Sequence, residues 1–552
     1  MAHTHLSDLA LHPTVPTVGP TAAVLARLVL ALALATAGCG GSDEEGKAAD
    51  TAATDASSDA SSDASSDASS DAAGDAATTD SAVSNATTND ATSDDATANA
   101  DSAGGDTNTG DDGSATDTSA MDATDGCAKG CDDENPCTTD SCVASACQHA
   151  AQEGSCDDGK PCTSDDSCQG GVCLGKPLQW TMTFGGNGED VGRGAKADVD
   201  GSLVVVGHTK STGAGGRDAW LVRIDAHGAL VWDKTLGNDL DQEALDVDRY
   251  GDTWVASGAW REHGDPRQRG WLHGFDSKGE TIASSVLPLT AATELHAVVL
   301  RDGPGGTVRA FAAGYREDDA GDLQMAIVRF DAKTMTTTWV QHYGDSGFDV
   351  AWDLGLRNEG GALFVGDTAD SSGNAHVWHG EIDEDGKMLW QRTYFSDGED
   401  SGWALSVRTD AAGQTVGATI VGSRKAKDAP VPAAWMMQTD AKGQTTWQQT
   451  TTAPAGATAF GVAQANGGGY VVAGRLSTTG TTPQAALWRT DGQGVTSWTW
   501  AGTGKPGNTG TAVGNAAAAW NDAFAVVGKF GEGSLSDLLV ARTSMTGSTT
   551  CP

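Results

Sequence analysis

The stretch DAWLVRIDAHGALVW, residues 218–232, decides the fold of this chain. It reads as an apolar run, an Asp, a short turn, a Gly and then a tryptophan. The block returns as HVWHGEIDEDGKMLW at 376–390, AWMMQTDAKGQTTW at 434–447 and ALWRTDGQGVTSW at 486–498. Its tryptophans fall at Trp180, Trp232, Trp339, Trp390, Trp447 and Trp498, at intervals of 52, 107, 51, 57 and 51 residues. The long interval holds two periods, with Val286 near the slot where a tryptophan is missing. A fixed period of this size marks a repeat architecture.

Two more strand-like runs precede each block, as in SLVVVGHT at 202–209. The runs are short, apolar or alternating, and bounded by Gly and Asp, which reads as antiparallel strands. The second run of each copy ends in Gly: Gly207, Gly258, Gly314, Gly366, Gly422, Gly474 and Gly528. Seven copies of four strands predict an all-β, seven-bladed β-propeller, whose stacked blades bury faces that none could bury alone. Helical solenoids are disfavoured, because no stretch keeps a 3.6-residue apolar period and Gly occurs 73 times.

Trp180 precedes the first triplet of runs, and the seventh triplet ends at Thr543 with no tryptophan strand after it. The run QWTMTF at 179–184 is therefore expected to complete blade seven and close the ring. Closure removes a free strand edge, which otherwise invites aggregation. The six tryptophans, one per blade in a fixed slot, are expected to pack between blades rather than to stack sugars.

Upstream of 177 the chain divides by composition. Residues 1–39 have Arg27, an apolar run from Leu28 and small residues before Cys39, the pattern of an export signal and too short to span a bilayer. Thr36-Ala37-Gly38-Cys39 resembles the bacterial lipobox, which implies lipidation of Cys39 and a membrane partner through that anchor; Thr36 stands where the lipobox prefers Leu. Residues 40–126 are Asp, Ser, Ala and Thr with almost no large apolar side chain, and are expected to form an unstructured tether. With 75 acidic against 34 basic residues, the net charge of −41 speaks against a nucleic-acid partner.

Residues 127–176 hold two copies of C-D-D-x-x-P-C-T followed by Asp-Ser-Cys. One uses Cys131, Cys137, Cys142 and Cys147, the other Cys156, Cys162, Cys168 and Cys173. Each is too short to own a core, so disulfides within each copy are expected rather than zinc, which would want Cys-x2-Cys pairs. With Cys39 lipidated, Cys127 and Cys551 remain and are expected to pair with each other. The acidic pairs Asp132, Asp133 and Asp157, Asp158 read as turn formers; structural calcium is the minor alternative, since the D-x-D-x-D-G ladder is absent.

The cysteine module resembles the small cysteine-rich repeats of secreted myxobacterial-type lipoproteins. The Asp-x-x-Gly-x-x-x-Trp block resembles the tryptophan motif of quinoprotein-like propellers, and the wider unit resembles delta-60/SBBP-type repeats. These resemblances imply an exported envelope or cell-surface protein with a propeller. They carry no cofactor, because no set of quinone or metal ligands maps onto the blades. No H-E-x-x-H, G-x-S-x-G or Walker loop is present, so no catalytic residue is singled out. Two functions stay open: a monomeric, non-catalytic scaffold binding a protein or glycan, and, as the alternative, a hydrolase or lyase acting on extracellular polymers at the propeller mouth. Carboxylates from three or more blades in the channel would favour the enzyme. A channel filled by small residues would favour the scaffold. The longer loops at 261–269, 316–322 and 423–432 join second to third strands, and mark one face as the contact surface.

Overall fold

The computed structural model describes residues 127, 130–160, 162–288, 290–451, 453–478, 482–502 and 510–549. The expected export segment with Cys39, the acidic stretch and Cys551 lie outside them. Seven four-stranded antiparallel sheets follow one another, six of them with their strands in chain order. Blade one runs Asp190–Ala197, Leu203–Thr209, Asp218–Ile224 and Leu230–Leu236. Blade seven takes its fourth strand from the far end of the propeller sequence. Trp180–Phe184 pairs with Asp537–Ser544, Trp180 opposite Arg542 and Phe184 opposite Leu538. The ring is closed as the strand count requires.

Burial follows position in the blade. The second and third strands of blade one are buried at every residue, whereas its outer strand is mostly exposed or half-buried. A strand covered on both faces reads as a continuous apolar run, hence LVVVGHT and DAWLVRI.

The block that fixed the fold is explained at its turn. Asp225 Oδ1 accepts the backbone N–H groups of His227 and Ala229, both at 2.8 Å. Asp276, Asp383, Asp440 and Asp491 repeat that pair of bonds at the same spacing. The turn glycine adopts positive φ, 86° at Gly228 and 76° at Gly279. The tryptophan of one blade lies against the turn glycine of the next. A Cβ on Gly228 would stand 2.8 Å from the Trp180 ring, and one on Gly279 would stand 3.0 Å from Trp232. Trp339, Trp390, Trp447 and Trp498 meet Gly386, Gly443, Gly494 and Gly547 likewise. Trp180 and Trp232 also donate Nε1–H to carbonyl oxygens of the neighbouring turn, Ala226 and Ser277, at 3.0 Å.

The missing tryptophan has a different address from the one its interval suggests. Val286 pairs with Trp271, near the far end of its strand. The residue in register with Trp232 is Ala283, because Ala283 faces Gly274 as Trp232 faces Arg223. Blade three compensates. Its turn carries one extra residue and puts Met335, φ 56°, in the slot that glycine fills elsewhere. Met335 is fully buried and packs in the cluster that includes Ala283. The bulk that tryptophan supplies elsewhere comes here from the opposite side of the interface.

The cysteine module forms two hairpins, Thr138–Val143 with Ala146–Ala151 and Thr163–Gln169 with Val172–Pro177. Its pairing corrects the expectation in two ways. Cys127 bonds Cys142, so it is not the partner of Cys551. Cys137–Cys168 joins the two copies, alongside Cys131–Cys147 and Cys156–Cys173. The spacing inside a copy is equally compatible with internal and crossed pairing; packing decides, since Cys137 and Cys168 are the buried cysteines of that contact. Cys162 is also disulfide-bonded. The Asp pairs hold the turns. Asp133 accepts from Asn135 N and Thr138 Oγ1, and Asp158 accepts from Lys160 N and Thr163 Oγ1.

Candidate functional site: the bulge-side mouth of the channel

The innermost strands of the seven blades enclose a cavity of about 580 Å3. Each of these strands skips one residue in its pairing with the second strand. The bulged residues are Arg193, Leu245, His296, Trp352, Trp403, Phe460 and Asn515, and all seven line the channel. A bulge re-aims its side chain. It also explains the glycine that ends each second strand. A Cβ on Gly207 would collide with the Val191 carbonyl oxygen, and Gly258, Gly314 and Gly366 face the same obstacle from Glu243, Glu294 and Val350.

Four bulged residues from consecutive blades make an aromatic arc. His296 and Trp352 have ring centroids 4.7 Å apart, Trp352 and Trp403 4.9 Å, and Trp403 and Phe460 5.7 Å. Interplanar angles of 64°, 40° and 63° bend the arc into a curved wall rather than parallel plates. Of the remaining three bulged residues, Leu245 is aliphatic and the other two are held by polar contacts. Arg193 Nε donates to Glu243 Oε1 at 2.6 Å, and Asn515 Nδ2 donates to the Gly192 carbonyl at 2.8 Å. The bulges follow the loops that enter each inner strand, so they sit at the end of the ring bearing the second-to-third-strand loops.

Deeper in the channel the inner strands have no fifth strand to pair with, and their outward N–H groups need acceptors. Carboxylates of the preceding blade supply several. Asp246 accepts Val298 N at 2.9 Å, Asp248 accepts Leu300 N at 2.7 Å, and Asp353 accepts Leu405 N at 2.8 Å. Asp248 also pairs with Lys196 Nζ at 2.7 Å. Blades six and seven line their side with small residues, Gly461, Ala463 and Ala516 to Ala519.

Burial raises the Asp246 carboxyl to about 7. It raises Asp353 to about 8, with the Asp246 charge adding to the shift. Glu294 and Asp367, flanking the arc, are each raised to about 7 by burial. His296 is lowered to about 4 by the same cause. A carboxyl whose folded pKa is raised contributes stability that is complete below its unfolded pKa and is lost as pH rises through the folded value. The lowered histidine works the other way, but its unfolded form is only half protonated at pH 6.5, so above that pH it offsets only about 0.4 kcal/mol. Stability should therefore fall from pH 6.5 to 8.5 by about 1 kcal/mol per carboxyl. Urea melts across that range read the slope, and Asp353→Asn should flatten it; a slope unchanged by the substitution would remove Asp353 from the account.

The six block tryptophans stand apart from this site, on the outer strands. The sequence offered little toward the arc, because its residue type changes from blade to blade. The one available mark was position, three residues into six of the inner strands and four into that of blade five.

No protein-family model matches the chain, and no curated protein matches it. Among solved structures it is similar to the quinohemoprotein alcohol dehydrogenase ADHIIG of Pseudomonas putida HK5, with TM-score 0.34 and 11% identity over 68% of this chain and 77% of that one. It is also similar to the quinohemoprotein alcohol dehydrogenase of Comamonas testosteroni, with TM-score 0.36, 11% identity and the same coverage. The likeness concerns the propeller fold alone.

Proposed function

We propose that this chain is an exported, lipid-anchored binding protein, whose propeller takes a glycan at the bulge-side mouth and is held off a membrane by the acidic tether. The observation that carries the binding reading is the arc of His296, Trp352, Trp403 and Phe460 in one channel wall. Aromatic side chains lining a cavity, half-buried at His296, Trp403 and Phe460 and buried at Trp352, suit a ligand with apolar ring faces and polar edges. The hydrolase alternative is less well supported. The channel carboxylates come from two blades, and Asp246, Asp248 and Asp353 are each engaged by backbone N–H groups.

Intrinsic tryptophan fluorescence during titration with a panel of envelope polysaccharides tests the mouth. The double variant Trp352→Ala, Trp403→Ala should weaken binding at least tenfold, about 1.4 kcal/mol. Equal affinity in the double variant would place the site elsewhere. Anchoring is tested separately. Cys39→Ser should move the full chain from the membrane to the soluble fraction, and continued membrane association would refute lipidation.

A further inference from the structure

The mouth has a second chemical character opposite the arc. Lys529 lies in the second strand of blade seven, one residue after Gly528. It is 4% exposed, and its ammonium makes no hydrogen bond or ion pair among the described residues. Other buried cations of the ring are partnered. Arg223 pairs with Asp198 at 2.7 Å, and Arg542 donates to the Gly201 and Ala226 carbonyls.

Its position in the blade places it at the bulge ring. The residue after the corresponding glycine in blade four is Asp367, which accepts the Trp352 Nε1–H at 2.9 Å. In blade three it is Tyr315, whose ring centroid is 5.7 Å from that of His296. Both touch the bulged residue of their own blade. Lys529 pairs with Val513, two residues before the bulged Asn515. Burial and the nearby Arg193 charge lower its pKa while the Glu189 and Glu532 charges raise it, so Arg193 and Glu189 of blade one are neighbours as well. The mouth is thus aromatic on blades three to six, with the Lys529 cation of blade seven beside Arg193 of its lining and hydrogen-bonded to no side chain among the described residues. Its curved wall offers no parallel pair of rings to sandwich a flat ligand, but a single ring face suits a puckered pyranose.

Building on the glycan-binding reading, we propose that the mouth selects an acidic oligosaccharide, with a hexuronate carboxylate on Lys529 and sugar rings against Trp352 and Trp403. The probes are trigalacturonate, the neutral trisaccharide of the same linkage, and benzoate, each titrated calorimetrically into the full mature chain. Trigalacturonate should bind at least tenfold tighter than the neutral sugar. Lys529→Gln should abolish that preference, Lys529→Arg should keep most of it, and Trp403→Ala should weaken both sugars. A preference that survives in Lys529→Gln, with the melting curve showing the variant folded, overturns the proposal. So does benzoate competing as well as the trisaccharide, because the ligand would then be a flat aryl acid. Equal binding of both sugars, weakened by Trp403→Ala, overturns the acid selectivity while the glycan site stands. If no sugar binds, this proposal fails, and the polysaccharide panel alone decides the broader reading.

Discussion

Met335→Gly should destabilise the propeller by about 3 kcal/mol, and adding Ala283→Trp to the same chain should recover at least half of that loss. Deleting a buried Met-sized side chain costs about 2–5 kcal/mol. Met335 is fully buried, and its methyl group already stands where a Cβ on Gly274 would fall, at 2.7 Å. Some of the loss is offset, because glycine relieves the positive φ at this position. Ala283→Trp alone should also destabilise, by about 1–3 kcal/mol, because it overpacks a filled site. The two changes together recreate the tryptophan-on-glycine contact made by Trp232 and Gly279 at the preceding interface. Recovery stays partial because the blade-three turn keeps its extra residue. Urea unfolding of the wild type, both single variants and the double variant closes a thermodynamic cycle. Additive losses would mean that the two residues do not substitute for one another, and the compensation would be wrong.

This pair also shows where sequence reading stops. The blade count, the strand order and the closing strand were legible because their signals are local. An Asp that bonds two backbone N–H groups, a glycine at positive φ and a tryptophan on the next turn recur with little dependence on the rest of the fold. Locating the missing tryptophan at Val286 failed because intervals were counted along the chain, whereas register is set inside the hairpin, which puts Ala283 in the slot. Met335 gave no signal, since compensation across an interface leaves no spacing to read. The mouth was hidden for a related reason. A bulge constrains backbone geometry and leaves the side chain free to vary, so Arg193, Leu245, His296 and Trp352 share a position without sharing chemistry. What the bulge does constrain, the glycine on the second strand, was visible in every copy, though its cause was not.

Peptide mapping without reduction should find Cys162 joined to Cys551, and Cys551→Ser should cost on the order of 5 kcal/mol. The four described disulfides take up the other eight cysteines of the module, and Cys162 is itself disulfide-bonded. Its partner therefore lies outside the described residues, where the sequence holds Cys39 and Cys551. Lipidation would consume Cys39, which leaves Cys551. The module is seated by the closing strand. Leu178 N donates to the Cys162 carbonyl at 2.9 Å, and Ser164 Oγ lies 2.8 Å from His227 Nε2 in the turn between the third and fourth strands of blade one. A bond from this point to the tail would span the noncovalent seam where Trp180–Phe184 meets Asp537–Ser544. Closing a loop of several hundred residues removes the most denatured-state entropy, which sets the size of the effect in the chain-entropy model. Amide exchange distinguishes the seam from global destabilisation, because in Cys551→Ser the amides of 180–184 should lose protection before those of blades three to five. A mapped Cys39–Cys162 peptide would overturn the pairing and the lipid anchor together, since one sulfur cannot serve both.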